Sequence, residues 1–223
     1  MNVLITGASR GIGRATALLF WKHGHKVIAT ARDAAALASL SQETNDEVLG
    51  LPAQLTEPTE IEALIEAAEA ATGGLDVLVS NAGVARHALV HQMSLETWFE
   101  VLNTNLTASF LLSRALVAKM LPRQQGKLIF VSSISATRPF GGFSAYSASK
   151  AGLLGLTRSL AEELRPHGIQ SMAICPGSVD TEMLRQANPD LKADMSPEEV
   201  AEAIYFLATS PRAMTGSVLD IFG

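Results

Sequence analysis

Short apolar, mostly β-branched runs punctuate this chain at residues 2–6, 26–30, 47–51, 76–80, 127–132, 170–174 and 218–221. Longer stretches of helical periodicity lie between them, at 10–23, 58–71, 94–121, 144–164 and 196–207. Most runs are apolar throughout rather than at every second residue, as strands covered on both faces are. Strand–helix alternation from end to end predicts one parallel, doubly wound sheet with right-handed crossovers. The expected α/β architecture is a sheet of about seven strands in a three-layer αβα sandwich. No long linker, repeat or low-complexity tract interrupts it, so residues 1–223 read as one domain. The clearest helix start is at Ser196, where Ser196, Pro197 and Glu199 spell a capping box and Met195 and Val200 can form a hydrophobic staple.

Ligands of such a sheet bind at the carboxyl ends of its strands. Directly after the first run stands Thr6-Gly7-Ala8-Ser9-Arg10-Gly11-Ile12-Gly13. A glycine turns the chain sharply out of the strand. Missing side chains let backbone approach a pyrophosphate, and the next helix offers its N-terminal N–H groups to the anion. A P-loop is excluded, because no Gly-Lys-Ser/Thr follows. The loop therefore points to a Rossmann-type dinucleotide site. NAD binders place an acid at the end of the second strand for the ribose 2′-hydroxyl. Here Ala31 takes that place, Arg32 follows it, and Arg10 lies in the glycine loop. Two guanidiniums suit a 2′-phosphate, so NADP(H) is expected over NAD(H). Asp33 reads as a cap for the helix that follows.

Tyr146 and Lys150 stand four residues apart, on one face of a helix. A tyrosine with an ordinary pKa near 10 is a poor acid–base at neutral pH, and a neighbouring ammonium lowers that value. The pair suits proton transfer to a carbonyl or from an alcohol. Ser133 lies just past the 127–132 run, where it can hydrogen-bond a substrate oxygen; Ser132 and Ser135 compete for that role. Asn105 falls inside the 94–121 helix among apolar residues, with Asn103 as its competitor. A serine hydrolase is excluded, because Gly142-Phe143-Ser144-Ala145-Tyr146 is not G-x-S-x-G.

Composition removes other classes. A net charge of −5 without a basic stripe argues against nucleic acid as a partner. One cysteine, Cys175, allows no internal disulfide and no cysteine-based metal cluster, so no metal site is expected and a reducing cytoplasm fits best. No apolar run reaches the length of a membrane span, and the first residues do not read as a signal peptide.

Together these motifs resemble the short-chain dehydrogenase/reductase family, in its short single-domain form, over essentially the whole chain. Within the family the sequence looks most like the 3-oxoacyl-carrier-protein reductase type of carbonyl reductase. The resemblance implies a catalytic tetrad of Asn105, Ser133, Tyr146 and Lys150. Tyr146 would give its proton to the carbonyl oxygen as the nicotinamide delivers hydride. Lys150 would lower the tyrosine pKa and bond the nicotinamide ribose. Ser133 would polarise the carbonyl, and Asn105 would hold a water linking Lys150 to solvent. Gly7, Ser9, Arg10, Gly11, Ile12 and Gly13 would form the cofactor loop, with Arg32 at the 2′-phosphate. Asn81-Ala82-Gly83 resembles the motif beside the adenine ribose. Pro176 and Gly177, with Val179 and Thr181, resemble the segment that holds the carboxamide.

The sequence also departs from the family. Gln54-Leu55 stands where an Asp usually touches adenine, and Ser80 replaces the first Asn of the usual Asn-Asn-Ala-Gly. The lid, around 180–196, is short, which implies an open pocket. Its substrate contacts are expected from Ser133, Phe140, Phe143 and Met183, with Arg138, Pro139, Leu184, Met195 and His87 nearby. Apolar surplus on the 94–121 and 144–164 helices, which pair with their copies in the family, implies a homo-oligomer, a tetramer or dimer. The expected function is NADPH-dependent reduction of a ketone, aldehyde or 3-oxoacyl group. The alternative is a non-catalytic NADP(H)-binding regulator or scaffold; the intact tetrad favours the enzyme.

Overall fold

A computed structural model describes all 223 residues. Seven parallel strands form one sheet in the order β3-β2-β1-β4-β5-β6-β7. They are β1 Asn2–Thr6, β2 Lys26–Thr30, β3 Val48–Gly50, β4 Val77–Ser80, β5 Gly126–Val131, β6 Ile169–Pro176 and β7 Val218–Ile221. The helices are α1 Gly11–Lys22, α2 Ala34–Glu43, α3 Pro58–Thr72, α4 Leu95–Leu102, α5 Ala108–Met120, α6 Ser144–Leu164, α7 Glu182–Ala187 and α8 Pro197–Thr209. The sheet is therefore the doubly wound α/β type that the alternation predicts. Its strand order reverses between β1 and β4, which opens a crevice at their carboxyl ends.

Successive residues of each central strand feed opposite cores. Val3, Ile5, Val77, Val79, Ile129 and Ile174 pack with Phe20 of α1, Leu37 and Leu40 of α2, and Ile204 and Leu207 of α8. Leu4, Leu78, Leu128 and Phe130 face the other way, against Ile61 and Ile65 of α3, Leu112 and Leu116 of α5, and Leu154 of α6. Both faces are dry, which explains why these strands carry no polar alternation. Truncating any of these leucines to alanine costs about 2–5 kcal/mol.

Caps behave as the sequence predicts. Ser196 and Glu199 form the reciprocal capping box of α8, with Met195 and Val200 both in the same core. The Asp33 carboxylate accepts from the Ala36 amide at 3.0 Å and starts α2. Three expectations need correction. The third strand is Val48–Gly50, shorter than 47–51, because the Glu47 amide turns back to the Thr44 carbonyl, while Leu51 keeps only its amide bond to Ala29 beyond the paired residues. The lid holds a short helix, α7, started by Thr181, whose hydroxyl accepts from the Leu184 amide. The helix expected over 94–121 is interrupted at Asn103–Thr107 by one π-helical turn. The physical reason lies at the centre of that turn: Asn105 is drawn into hydrogen bonds with other elements.

Candidate active site

Two features meet at the carboxyl end of the sheet: a long groove and a buried polar cluster. The groove has a volume of about 790 Å³. One flank is the glycine loop, through Gly7, Ser9, Arg10, Gly11 and Ile12, and the other is Arg32 and Asp33 after β2 with Gln54 and Leu55 after β3. Asn81, Ala82 and Gly83 form its floor after β4, and Thr181, Glu182 and Met183 of the lid overhang it. Gly7 adopts a left-handed φ of +66°, and a Cβ there would stand 2.9 Å from the Ala82 backbone. Gly13 is beneath the loop rather than on the groove, where a side chain would strike the Gly7 carbonyl and the Asn81 amide. Both glycines are thus required by close backbone packing.

The loop is tied to the floor through Thr6. Its hydroxyl accepts from the amides of Asn81 at 2.9 Å and Ala82 at 3.0 Å. In return the Asn81 side-chain amide donates to the Thr6 carbonyl at 2.9 Å. Asn81 therefore acts on the loop backbone as well as lining the groove.

Asn105 organises the polar cluster. Its side-chain oxygen accepts from the Val84 amide at 2.8 Å, and its amide donates to the Val84 carbonyl and to Ser149 Oγ, both at 3.0 Å. Ser149 donates to the Tyr146 carbonyl at 2.7 Å. One fully buried side chain thus joins the segment after β4 to the second turn of α6. The wide π turn carries that side chain, and such turns recur at functional sites. Its backbone carbonyl accepts the Ser109 hydroxyl at 3.0 Å.

The three serines face different partners. Ser132 Oγ donates to the Lys150 carbonyl at 2.8 Å and holds α6 against β5. Ser133 accepts from the Ser135 amide at 3.1 Å as a cap, and its hydroxyl is near enough to Tyr146 to lower that group's pKa. Lys150 is buried. Its Nζ donates to the Val131 carbonyl at 2.8 Å and stands 5.6 Å from the centre of the Tyr146 ring.

The electrostatics depart from simple expectation. Burial lowers the Lys150 pKa to about 8, whereas the Cys175 thiol beside it is pushed up to about 11, chiefly by burial. Burial also raises the Tyr146 pKa, against a smaller lowering by Ser133. The net direction for Tyr146 is therefore upward rather than the lowering expected beside Lys150, and burial is the largest cause for both groups. Groove and cluster adjoin at Gly83, where a Cβ would lie 3.2 Å from the Asn105 side-chain oxygen and 3.5 Å from Lys150 Nζ.

Residues 1–192 match the family model for short chain dehydrogenase. The chain belongs to the short-chain dehydrogenase family. It is 36% identical over 231 residues to the 3-oxoacyl-(acyl-carrier-protein) reductases of Vibrio cholerae and Escherichia coli, covering 99% of this chain and 95% of each relative. The fold matches the crystal structure of a 3-ketoacyl-(acyl-carrier-protein) reductase from Brucella melitensis complexed with NADH. That match has a TM-score of 0.92 and 29% identity, and covers 99% of this chain and 96% of the other.

Not every expected site residue lies on the groove. Pro176, Gly177 and Val179 do not line it; the Gly177 amide donates to the Ile221 carbonyl at 3.0 Å, and Val179 bridges to Met195. Met183, expected at the substrate, overhangs the groove beside Thr181 and Glu182. Phe140 is exposed on the loop before α6, and Phe143 packs edge-on against His87 with ring centres 5.2 Å apart. No helix is long and apolar enough to cross a membrane, and no cluster of three or more metal-ligating side chains forms. Sequence reasoning missed Thr6, Ser149 and Glu182. Ser149 stands three residues after Tyr146, a spacing that places it on the same helix face. Glu182 meets Arg10 across 172 residues of chain, and no local pattern announces it.

Proposed function

We propose that the chain is an NADPH-dependent oxidoreductase that reduces a ketone, aldehyde or 3-oxoacyl group to an alcohol. The observation that carries this reading is the meeting of groove and cluster at Gly83, with Ser133, Tyr146 and Lys150 beside one another. The relatives' names support the 3-oxoacyl class.

The groove fits a dinucleotide. Its glycines leave room for backbone approach to a pyrophosphate, and the first turn of α1 offers N–H groups there. Gly7, Ser9, Gly11 and Ile12 would hold the diphosphate, with Gly13 packed beneath them to let the loop close, and Gln54, Leu55 and Asn81–Gly83 would hold the adenosine half. Arg10 and Arg32 would take the 2′-phosphate, which favours NADP(H) over NAD(H). Pro176, Gly177, Val179 and Thr181 would shape the far end. A nicotinamide nucleotide supplies hydride when bound.

The protein supplies orientation and a proton. Ser133 donates to the substrate oxygen and fixes it beside Tyr146. The raised pKa keeps Tyr146 protonated at neutral pH, so its hydroxyl proton is available to the oxygen as it becomes an alkoxide. Lys150 lies behind the tyrosine and stabilises the phenolate that remains. Asn105 keeps α6 in register through Ser149 and leads replacement protons toward Lys150 through water. Phe140, Phe143 and Met183 would contact the apolar part of the substrate. A buried ammonium is costly to maintain, and a scaffold protein would have no use for it.

The working assembly is proposed as a cytoplasmic homo-oligomer, dimer or tetramer, formed through the exposed Leu95, Phe99 and Phe110 of α4 and α5. The test is turnover of NADPH and of NADH with a panel of 3-oxoacyl thioesters, diketones, aldehydes and cyclic ketones. NADPH-dependent turnover that falls about 10²- to 10⁴-fold in Tyr146→Phe is expected. Tight NADPH binding with no turnover of any carbonyl would favour the regulator instead.

A further inference from the structure

The glycine loop and the lid touch at two neighbouring points above the groove. Arg10 Nη1 donates to Glu182 Oε2 at 2.5 Å. Next to it, the place of a Gly11 Cβ lies 3.2 Å from the Thr181 methyl. The second oxygen of Glu182 accepts from Gln186 at 2.7 Å, so the carboxylate is held on both sides. Arg10 and Glu182 both line the groove, with side chains 65% and 45% exposed. Across the groove the Asp33 carboxylate is committed to capping α2.

An arginine set to receive a phosphate thus already holds an anion, and that anion belongs to the lid. An exposed pair of this kind is weak and screened by salt. A phosphate carries more charge and can accept both arms of the guanidinium. The two anions cannot both take Arg10 without opposing each other.

We propose that Glu182 is a specificity-determining residue: it occupies Arg10 until a nucleotide 2′-phosphate displaces it, and the displacement unties the lid from the glycine loop. The proposal rests on the assignment of Arg10 to a 2′-phosphate. It has two consequences. Preference for 2′-phosphorylated nucleotides is smaller than two free arginines would give. Helix α7 is held more firmly under NAD than under NADP.

The test measures equilibrium binding of NADP⁺, NAD⁺, adenosine 2′,5′-bisphosphate and AMP to the wild-type protein, Glu182→Gln and Arg10→Gln. Hydrogen exchange of residues 182–187 is followed in the NADP⁺ and NAD⁺ complexes. Glu182→Gln should bind the two 2′-phosphorylated probes about three- to tenfold tighter while NAD⁺ and AMP stay within about twofold. Arg10→Gln should weaken only the 2′-phosphorylated probes. In the wild type, exchange of α7 should be faster with NADP⁺ than with NAD⁺, and Glu182→Gln should abolish that difference. If Glu182→Gln leaves the NADP⁺/NAD⁺ ratio unchanged, or weakens all four probes alike, Glu182 is only a lid contact and the proposal is overturned. If wild type and Arg10→Gln both bind NADP⁺ and NAD⁺ equally, the assignment of Arg10 to the phosphate fails instead.

Discussion

The lid and the Asn105–α6 cluster stand at the same end of the sheet and are built on opposite terms. Asn105 is fully buried, spends its side chain on three hydrogen bonds, and fixes Val84 and the second turn of α6. The base of the lid is anchored by buried Met195, but its helix α7 buries no residue and its ion pairs, Arg10 with Glu182 and Arg185 with Asp180, stand in water with every side chain at least 45% exposed. Buried polar networks are rigid and costly to breach, whereas exposed pairs contribute little. The contrast separates a buried, fully hydrogen-bonded cluster from an exposed lid helix.

The largest effect should come from the cluster. Tyr146→Phe removes the proton donor and keeps the ring, so turnover should fall about 10²- to 10⁴-fold with little change in thermal stability. Kinetics beside a melting curve would check both halves. A loss of stability equal to the loss of activity would show that the hydroxyl is structural.

Asn105→Ala should cost about 2–4 kcal/mol, because it strands the Val84 amide and carbonyl beside a cavity. Denaturant unfolding measures it. A cost under about 1 kcal/mol would mean that water replaces the side chain and that the π turn has another cause.

Lys150→Met should go the other way in stability while removing activity. The ammonium's pKa falls from its ordinary 10.5 to about 8 in the folded protein, so folding at neutral pH must pay for burying a proton the unfolded chain holds freely. That penalty is full below about 8 and fades as pH rises toward 10.5. The variant should therefore be about 1–3 kcal/mol more stable at pH 7, after loss of the bond to Val131, and its advantage should shrink through that window. In the wild type the rate of carbonyl reduction should decline as pH passes about 8 and Lys150 gives up its proton. A Lys150→Met variant less stable at pH 7 would contradict the burial argument.

The smallest effect belongs to the lid. Asp180→Asn should change stability by less than about 1 kcal/mol. A larger loss would erase the contrast between the two regions.

Much of this was legible in the residues. Apolar runs covered on both faces specify a doubly wound sheet, and the glycine loop, Ser133, Tyr146 and Lys150 announce themselves by spacing. What escaped was long-range. The π turn at Asn103–Thr107 exists because Asn105 reaches Val84 and Ser149, and helical periodicity from 94 to 121 carries no trace of that. Spacing brings Lys150 beside Tyr146 but does not show that Lys150 is buried and that desolvation acts on both groups. Glu182 is invisible in sequence because only folding brings the lid to the glycine loop.

The central claim is that groove and cluster together reduce a carbonyl. It is tested most directly with NADPH deuterated at the transferable C4 position and a 3-oxoacyl thioester, the product being read by mass spectrometry. The account predicts one deuterium on the new carbinol carbon in the wild type and product formed about 10²- to 10⁴-fold more slowly by Tyr146→Phe. Alcohol formed without deuterium, or formed equally by Tyr146→Phe, would contradict it.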